Sequence, residues 1–149
     1  MFVVTGATGF LGGRLVRFLL LQGESVLAFG RNAQKLLVLE RMGARTKQID
    51  LVDLRVEDIP VETHCVIHCA ARSSPFGLLS DFERDNVEAT RRLVTCLQQR
   101  SSRLIHLSTP AIYAAFQDRR DIREEDWLPC AINCYAATKL RAEQVLGPV

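Results

Sequence analysis

Tyr135 and Lys139 are the residues whose types and spacing most directly suggest catalysis. They lie four positions apart in the segment Tyr135–Leu146, which we predict to be a helix, so their side chains share one helix face. A free tyrosine hydroxyl ionises only near pH ~10, and a neighbouring ammonium favours its phenolate form. The pair therefore suits proton transfer to or from a substrate carbonyl or hydroxyl. The same spacing is common on helices, so its meaning depends on the rest of the chain.

Three glycines near the start of the chain have the spacing of a phosphate-binding loop. Gly6, Gly9 and Gly12 follow a short apolar run and open an apolar helix. In such loops the first glycine allows a sharp turn, the second lets the backbone approach a pyrophosphate, and the third lets helix and strand pack closely. The helix N-terminus then offers its N–H groups and the positive end of its dipole to the phosphates. No Gly-Lys-Ser/Thr follows, which excludes a Walker-type nucleotide site.

Short apolar runs alternate with helical stretches along the chain, and this alternation is typical of a parallel α/β sheet. We predict strands at Phe2–Thr5, Ser25–Phe29, Arg45–Ile49, His64–Cys69 and Arg103–Leu107. We predict helices at Phe10–Gln22, Ala33–Met42, Val52–Ile59, Phe82–Gln99 and Tyr135–Leu146, and a polar, irregular excursion at Gln117–Pro129. The expected inner face of the first helix carries Leu11, Leu15, Phe18 and Leu19. The predicted fold class is a Rossmann-type doubly wound parallel α/β sheet of order 3-2-1-4-5, formed by residues 1–149 as one domain.

Composition and charge exclude several classes of protein. The 149 residues are 48% hydrophobic and 24% charged, which is ordinary for a globular domain. The net charge of +2 is small and the basic residues are scattered, so nucleic acid is not an expected partner. No apolar run approaches the ~20 residues that cross a membrane, so we expect no membrane partner. The five cysteines are odd in number and lack the pair spacing of zinc sites, so we expect reduced thiols, no bound metal and a cytoplasmic location.

The motifs along the chain occur together in a recognisable order. The glycine motif at residues 5–12 is followed by Asp50-Leu51, by Val66-Ile67-His68-Cys69-Ala70-Ala71, by Asn86-Val87-Glu88-Ala89-Thr90, by Leu107–Tyr113 and by the Tyr-x-x-x-Lys of residues 135–139. This set resembles the extended short-chain dehydrogenase/reductase family, which includes the NAD-dependent epimerase/dehydratases and the 3β-hydroxysteroid dehydrogenase-like enzymes. The resemblance spans essentially the whole chain, and it implies a nicotinamide cofactor and a small-molecule substrate.

The resemblance also implies roles for individual residues. Tyr135 is the expected proton donor or acceptor, Lys139 also holds the nicotinamide ribose, and Thr109 orients the substrate oxygen, with Ser108 as the near alternative. The expected cofactor-binding residues are Gly6, Thr8, Gly9, Phe10, Leu11, Gly12, Arg31, Asn32, Asp50, Leu51, Ala70, Ala71, Tyr135 and Lys139.

The end of the second strand bears on the choice of cofactor. An acidic residue near this position binds the ribose hydroxyl of NAD, whereas an arginine accommodates the 2′-phosphate of NADP. This chain has Ala28-Phe29-Gly30-Arg31-Asn32 there, without a carboxylate. Arg31 can bind a phosphate through two hydrogen bonds, although a solvated surface arginine is the alternative interpretation. We therefore expect NADP as the preferred cofactor and NAD as the alternative.

The predicted function is NAD(P)-dependent hydride transfer to or from a carbonyl or hydroxyl carbon. Two alternatives stay open: a nucleotide-sugar epimerase or dehydratase, and a non-catalytic dinucleotide-binding module. Family members usually continue into a part that encloses the substrate, so we expect this chain to be a truncated, N-terminal portion with little turnover alone. An uncovered sheet edge favours self-association, and a homodimer is one expected form. His64, His68 and His106 are interpreted as structural histidines, with an acid/base role as the alternative.

Overall fold

The computed structural model describes residues 1–74, 76–116 and 119–147 of the chain, so Gln117 and Asp118 of the predicted excursion lie outside the described residues. Its strands are β1 (Phe2–Thr5), β2 (Val26–Gly30), β3 (Arg45–Gln48), β4 (Cys65–His68) and β5 (Arg103–His106). Its helices are α1 (Phe10–Leu21), α2 (Ala33–Arg41), α3 (Leu79–Phe82), α4 (Ala89–Leu97) and α5 (Cys134–Leu146). A π-helical turn at Glu83–Glu88 joins α3 to α4. Within the described ranges, no helix combines the length and the apolar character needed to cross a bilayer.

The five strands form one parallel sheet of order β3-β2-β1-β4-β5, and the predicted fold and strand order are confirmed. From β1 the chain winds outward through β2 to β3, then returns to place β4 on the other side of β1. The loops after β1 and β4 therefore diverge and leave a crevice at the carboxyl ends of these strands. The register pairs Thr5 with His68 and His68 with His106, which brings three polar side chains to this same end.

Two apolar clusters cover the two faces of the sheet. Successive residues of a strand point to opposite faces, so Val3 and Val4 belong to different clusters. The cluster of Val3 includes Leu93 of α4, and the cluster of Val4 includes Leu19 of α1. Burial on both faces explains why β1, β2 and β4 read as continuous apolar runs. The sheet that carries the crevice at its carboxyl end is thus packed between two layers.

The buried face of α1 differs from the predicted one. Its buried residues are Gly12, Val16 and Leu19, whereas Leu11 and Phe18 are more than half exposed. The cause is steric, because a β-carbon on Gly12 would lie 2.4 Å from the carbonyl oxygen of Gly6. The helix therefore packs against the loop through Gly12. Of the predicted inner residues, Leu19 is buried and Leu15 packs partly buried against the cluster of Val4, so the prediction is wrong for Leu11 and Phe18.

Two predicted helices have different boundaries. The predicted helix Val52–Ile59 is instead a pair of short 3-10 turns at Leu51–Asp53 and Val56–Asp58. The Asp50 carboxylate accepts from the backbone N–H of Val52, and the Asp58 carboxylate accepts from that of Arg55, so each turn is capped separately. The predicted helix Phe82–Gln99 starts earlier, at Leu79, and contains the π-helical turn. Its predicted inner residues, which are Ala89, Leu93, Cys96 and Leu97, are all buried.

Candidate active and cofactor site

The glycine loop after β1 has no room for side chains at two of its glycines. Gly6 has a φ of +64°, and a β-carbon there would lie 2.7 Å from the backbone of Ala70. Position 12 cannot hold a larger residue, because its β-carbon would collide with the carbonyl oxygen of Gly6. The N–H of Gly9 donates to the carbonyl oxygen of Gly6 at 2.9 Å, which closes the turn. Gly9 is also the N-cap of α1 and supplies no side-chain cap, so N–H groups of the first helical turn remain available to an anion.

A cleft of about 200 Å³ lies beside this loop at the carboxyl ends of the strands. The predicted cofactor-binding residues that line it are Gly6, Thr8, Gly9, Arg31, Asp50, Leu51, Ala70 and Ala71. The cleft also has lining residues that the sequence reading missed, which are Phe29, Gly30, Ile49, Cys69, Asp85 and Ala89. Position at the carboxyl end of a strand is a usable signal for Gly30 and Cys69. Asp85 has no such signal, because it reaches the cleft from the π-helical turn.

The other predicted cofactor-binding residues lie around the cleft without lining it. The Asn32 carboxamide caps α2 by accepting from the N–H of Lys35 at 3.0 Å. Phe10 is 84% exposed and borders a separate surface depression between α1 and α2. Leu11 is also exposed, and Gly12 is buried against the loop.

Four arginine and aspartate side chains form a charged rim on the cleft. The Arg84 guanidinium binds Asp50 at 2.8 Å and Asp85 at 2.9 Å, and Arg31 binds Asp85 at 3.4 Å. Partial burial raises the pKa of Asp50, but the hydrogen bond and positive charge of Arg84 outweigh it and hold this pKa below its usual value. Asp50 is therefore ionised at neutral pH, and arginine side chains bind both carboxylates.

Lys139 is buried in α5, with 2% of its surface exposed. Its ammonium donates to the carbonyl oxygen of Leu107 at 2.6 Å and to Nε2 of His106 at 3.1 Å. Burial lowers the pKa of Lys139 to about 8, and the nearby Glu143 and Cys69 only partly oppose this effect. The ammonium thus has two of its three protons held by β5 and the residue after it. One proton remains for a further acceptor.

Tyr135 and Thr109 are placed by short backbone caps. The Asn133 side chain caps α5 by accepting from the N–H of Ala136 at 2.8 Å, and Tyr135 follows in the first helical turn, half-buried. Thr109 caps a 3-10 turn, since its hydroxyl oxygen accepts from the N–H of Ala111 at 3.2 Å. Its O–H proton is free to donate elsewhere. Tyr113 is engaged in a different way, because its hydroxyl donates to the carbonyl oxygen of Glu124 at 3.1 Å.

His68 is neutral and hydrogen-bonded at both ring nitrogens. The Thr90 hydroxyl donates to the carbonyl oxygen of Asn86 at 2.6 Å, so it must accept from Nε2–H of His68 at 3.0 Å. Nδ1 of His68 then accepts from the Thr5 hydroxyl at 2.7 Å, and Thr5 in turn accepts from the N–H of Ala70 at 3.3 Å. Burial lowers the pKa of His68 to about 3, with smaller contributions from His106 and Lys139. This histidine holds the loop after β4 in position and stays neutral at physiological pH.

His106 lies between His68 and Lys139. Its ring centroid is 5.2 Å from that of His68, and burial followed by the charge of Lys139 lowers its pKa to about 4. Because Nε2 accepts from Lys139, the neutral ring carries its proton on Nδ1, which has no hydrogen-bond partner within the described residues. His64, by contrast, is exposed and its Nδ1 contacts the chain's N-terminal ammonium at 2.8 Å.

Asn86 joins the loop after β4 to α5. Its side-chain oxygen accepts from the N–H of Arg72 at 2.7 Å, and its Nδ2 donates to the carbonyl of Arg72 and to the Thr138 hydroxyl. Thr138 lies between Tyr135 and Lys139 on the chain. The sequence indicates Asn86 only as part of a motif. Its hydrogen bonds to Arg72 and Thr138 join distant parts of the chain and depend on tertiary structure.

Comparison with known proteins places these features in a family. The model of the NAD dependent epimerase/dehydratase family matches residues 2–147. YbjS of Escherichia coli is 37% identical over 97% of this chain, and a 2-alkyl-3-oxoalkanoate reductase of Shewanella oneidensis is 30% identical over 96% of it. The chain spans 44% and 37% of the length of these two relatives, respectively.

Solved structures show the same fold. MoeE5 in complex with UDP-glucose and NAD superposes with a TM-score of 0.82 at 30% identity, over 97% of this chain and 47% of that chain. A UDP-glucuronic acid 4-epimerase of Bacillus cereus, in complex with NAD, has a TM-score of 0.84 at 22% identity, over 97% of this chain and 50% of that one. The family model covers nearly all of the chain. The chain belongs to the NAD dependent epimerase/dehydratase family, among the extended short-chain dehydrogenases/reductases.

Proposed function

We propose that this chain binds NADP and supports the reduction of a substrate carbonyl, with Tyr135 as the proton donor. The proposal rests on the buried ammonium of Lys139, which lies on the same helix as Tyr135, together with a loop after β1 that requires glycine at positions 6 and 12. The bound cofactor would supply the hydride. The fit of the chain to such a group rests on the close contacts of Gly6 and Gly12, which leave backbone rather than side chains facing the phosphates.

The proposal gives each of the three catalytic side chains a separate role. Tyr135 gives its proton to the substrate oxygen, Thr109 donates a second hydrogen bond to that oxygen, and Lys139 stabilises the phenolate that Tyr135 leaves. Lys139 is suited to this because its pKa of about 8 keeps it charged at neutral pH. Its third proton is available for the ribose of the cofactor or for the phenolate.

Two cations near the end of β2 support the preference for NADP. Arg31 lines the cleft, and Lys35 donates to the carbonyl oxygen of Thr8 at 3.3 Å from the first turn of α2. Thr8 packs directly on Gly30, where a β-carbon would lie 2.5 Å from its methyl group. Arg31 and Lys35 therefore flank the place where an adenosine ribose would present its 2′-position, and a phosphate there would find two positive partners.

The relatives favour a 3-oxoacyl compound as the substrate, because a reductase named for 2-alkyl-3-oxoalkanoates is 30% identical over nearly the whole chain. A nucleotide-sugar epimerase or dehydratase is the second candidate, favoured by the likeness to MoeE5 in complex with UDP-glucose. The two functions differ in the fate of the cofactor. A reductase consumes NADPH with turnover, whereas an epimerase regenerates its cofactor in place. A cytoplasmic location and a homodimeric state complete the proposal, and cell fractionation and light scattering test them.

Calorimetric titration of the purified chain with NADPH and NADH tests the proposal. We expect tighter binding of NADPH, and we expect Arg31→Ala to weaken it by about 1–3 kcal/mol through loss of a charge-assisted hydrogen bond. The matched control is Arg41→Ala, which removes an exposed arginine at the far end of α2. Equal affinities for both cofactors would overturn the preference for NADP. Absence of binding to either would overturn the proposed function itself.

A further inference from the structure

Arg31 and Asp85 both line the cofactor cleft, and their side chains form an ion pair. Arg31 follows β2, and Asp85 belongs to the π-helical turn, 54 residues further along the chain. Nη1 of Arg31 lies 3.4 Å from each oxygen of the Asp85 carboxylate. The residue expected to select NADP is therefore already paired with an anion of the same chain.

The two partners of this ion pair are held very differently. The Asp85 side chain is only 8% exposed, and it also binds Arg72 at 3.2 Å and Arg84 at 2.9 Å. The Arg31 side chain is 62% exposed and makes the longest of the three contacts to Asp85. Asp85 is thus fixed by its neighbours, whereas Arg31 is free to turn toward another anion. If it does, two guanidinium groups still neutralise Asp85.

We propose that Asp85 determines cofactor specificity by competing with the 2′-phosphate of NADP for Arg31. This inference rests on the proposed function, in which the ribose of a dinucleotide lies beside Arg31. A 2′-phosphate carries a charge of about −1.5 to −2 and must draw Arg31 away from Asp85, while Asp85 repels it. NAD brings only a hydroxyl to this place, so the ion pair persists when NAD binds. Asp85 therefore limits the preference for NADP that Arg31 provides.

The other charged groups around the cleft do not take the place of Asp85. Asp50 is paired with Arg84, and its carboxylate also accepts from the N–H of Val52. Lys35 adds a cation at Thr8, which attracts the phosphate and does not hold Arg31. Among the described residues, Asp85 is thus the carboxylate in contact with Arg31. Neutralising Asp85 also weakens its ion pairs with Arg72 and Arg84, so the contribution of Arg31 has to be separated from theirs.

The test compares Asp85→Asn with Asp81→Asn. Asp81 also pairs with Arg72, at 3.7 Å, but it is 46% exposed and does not line the cleft. Dissociation constants for NADP⁺ and NAD⁺ are measured by calorimetry at low and at physiological salt. We expect Asp85→Asn to tighten NADP⁺ about three- to tenfold at low salt, less at higher salt, and to change NAD⁺ less than about twofold. Asp81→Asn should leave the ratio of the two constants unchanged.

A double-mutant cycle identifies the partner through which Asp85 acts. In an Arg31→Ala background, Asp85→Asn should change the ratio of affinities by less than half as much, on a logarithmic scale, as it does in the wild type. Asp85→Ser serves as a second neutral variant if the asparagine variant unfolds. An unchanged ratio in a folded variant that binds NADP⁺ would overturn the inference. So would a selective loss of NAD⁺ affinity, because Asp85 would then bind the ribose hydroxyl directly. Failure of the wild type to bind either cofactor would overturn the proposed function and the inference with it.

Discussion

Replacement of Lys139 by methionine should change how the stability of the chain depends on pH. The lysine is buried, and its pKa falls from 10.5 in the unfolded chain to about 8 in the folded one. The folded state therefore binds this proton less tightly than the unfolded state. The cost of holding the ammonium is complete below pH about 8 and disappears as the pH rises toward 10.5.

The size of the effect follows from the difference between the two pKa values. Each pH unit corresponds to about 1.4 kcal/mol, so the buried ammonium costs about 3 kcal/mol at neutral pH. Methionine has a similar length and no charge, so it removes this cost. The substitution also leaves the carbonyl of Leu107 and Nε2 of His106 without their donor, which offsets about 1–3 kcal/mol at every pH. The part of the free-energy difference that varies with pH therefore reports the cost of the buried charge alone.

The free energies of urea unfolding of the wild type and of Lys139→Met are measured from pH 7 to pH 10. We expect the wild type to gain about 2–3 kcal/mol relative to the variant over this range. The matched control is Lys35→Met, which removes an exposed ammonium. Parallel pH profiles for the wild type and Lys139→Met would refute the conclusion that folding disfavours the charge of Lys139. A slope of equal size in Lys35→Met would refute its assignment to burial.

Three further predictions concern the same site. Tyr135→Phe should keep NADPH affinity and slow a single turnover with a 2-alkyl-3-oxoalkanoate about 10²–10⁴-fold, which stopped-flow absorbance of NADPH would measure; an unchanged rate would remove Tyr135 from catalysis. Gly6→Ala should abolish cofactor binding and destabilise the chain by about 1–3 kcal/mol or more, whereas Gly23→Ala, which also has a positive φ but nothing within 4 Å, should retain cofactor binding; calorimetry and urea unfolding of both variants would check this. The chain alone should bind cofactor but show little steady-state turnover, because more than half of the length of its matched relatives lies outside the matched region; robust turnover in a coupled assay would contradict this.

The order of the strands could be predicted because it depends on local signals. The apolar runs of β1, β2 and β4 alternate with helical periodicity, and parallel crossovers allow few topologies. The glycine loop was equally visible, since its function requires glycine at particular positions. A β-carbon at Gly6 would lie 2.7 Å from the backbone of Ala70, and one at Gly12 would lie 2.4 Å from the carbonyl oxygen of Gly6, so both positions require glycine. A position can be predicted from the sequence when only one type of residue fits its backbone conformation and surroundings.

The charged rim could not be predicted, because its contacts join distant parts of the chain. Arg31 was predicted as a phosphate ligand from its place after the second strand, but its pairing with Asp85 spans 54 residues. The burial of Lys139 likewise depends on β5 and the residue after it, not on the helix that carries it. Capping by Asp50 and Asp58 also replaced the predicted helix Val52–Ile59 with two short turns. These failures share a cause: the contacts of polar side chains cannot be predicted from the periodicity of hydrophobic residues.

The π-helical turn makes the length of this helix a determinant of what faces the cofactor. A π-helical turn holds one more residue than an α-helical turn, and each residue of an α-helix turns the chain by about 100°. Buried residues hold α4 (Ala89–Leu97) in the core. Deletion of one residue from Glu83–Glu88 would therefore leave a continuous helix, but the part before α4 would rotate about the helix axis. Asp85 would then leave the cleft. A homologue with one residue fewer in this helix would thus keep the same core but present a different side chain to Arg31. We therefore expect an alignment gap at this helix to accompany a change in cofactor preference.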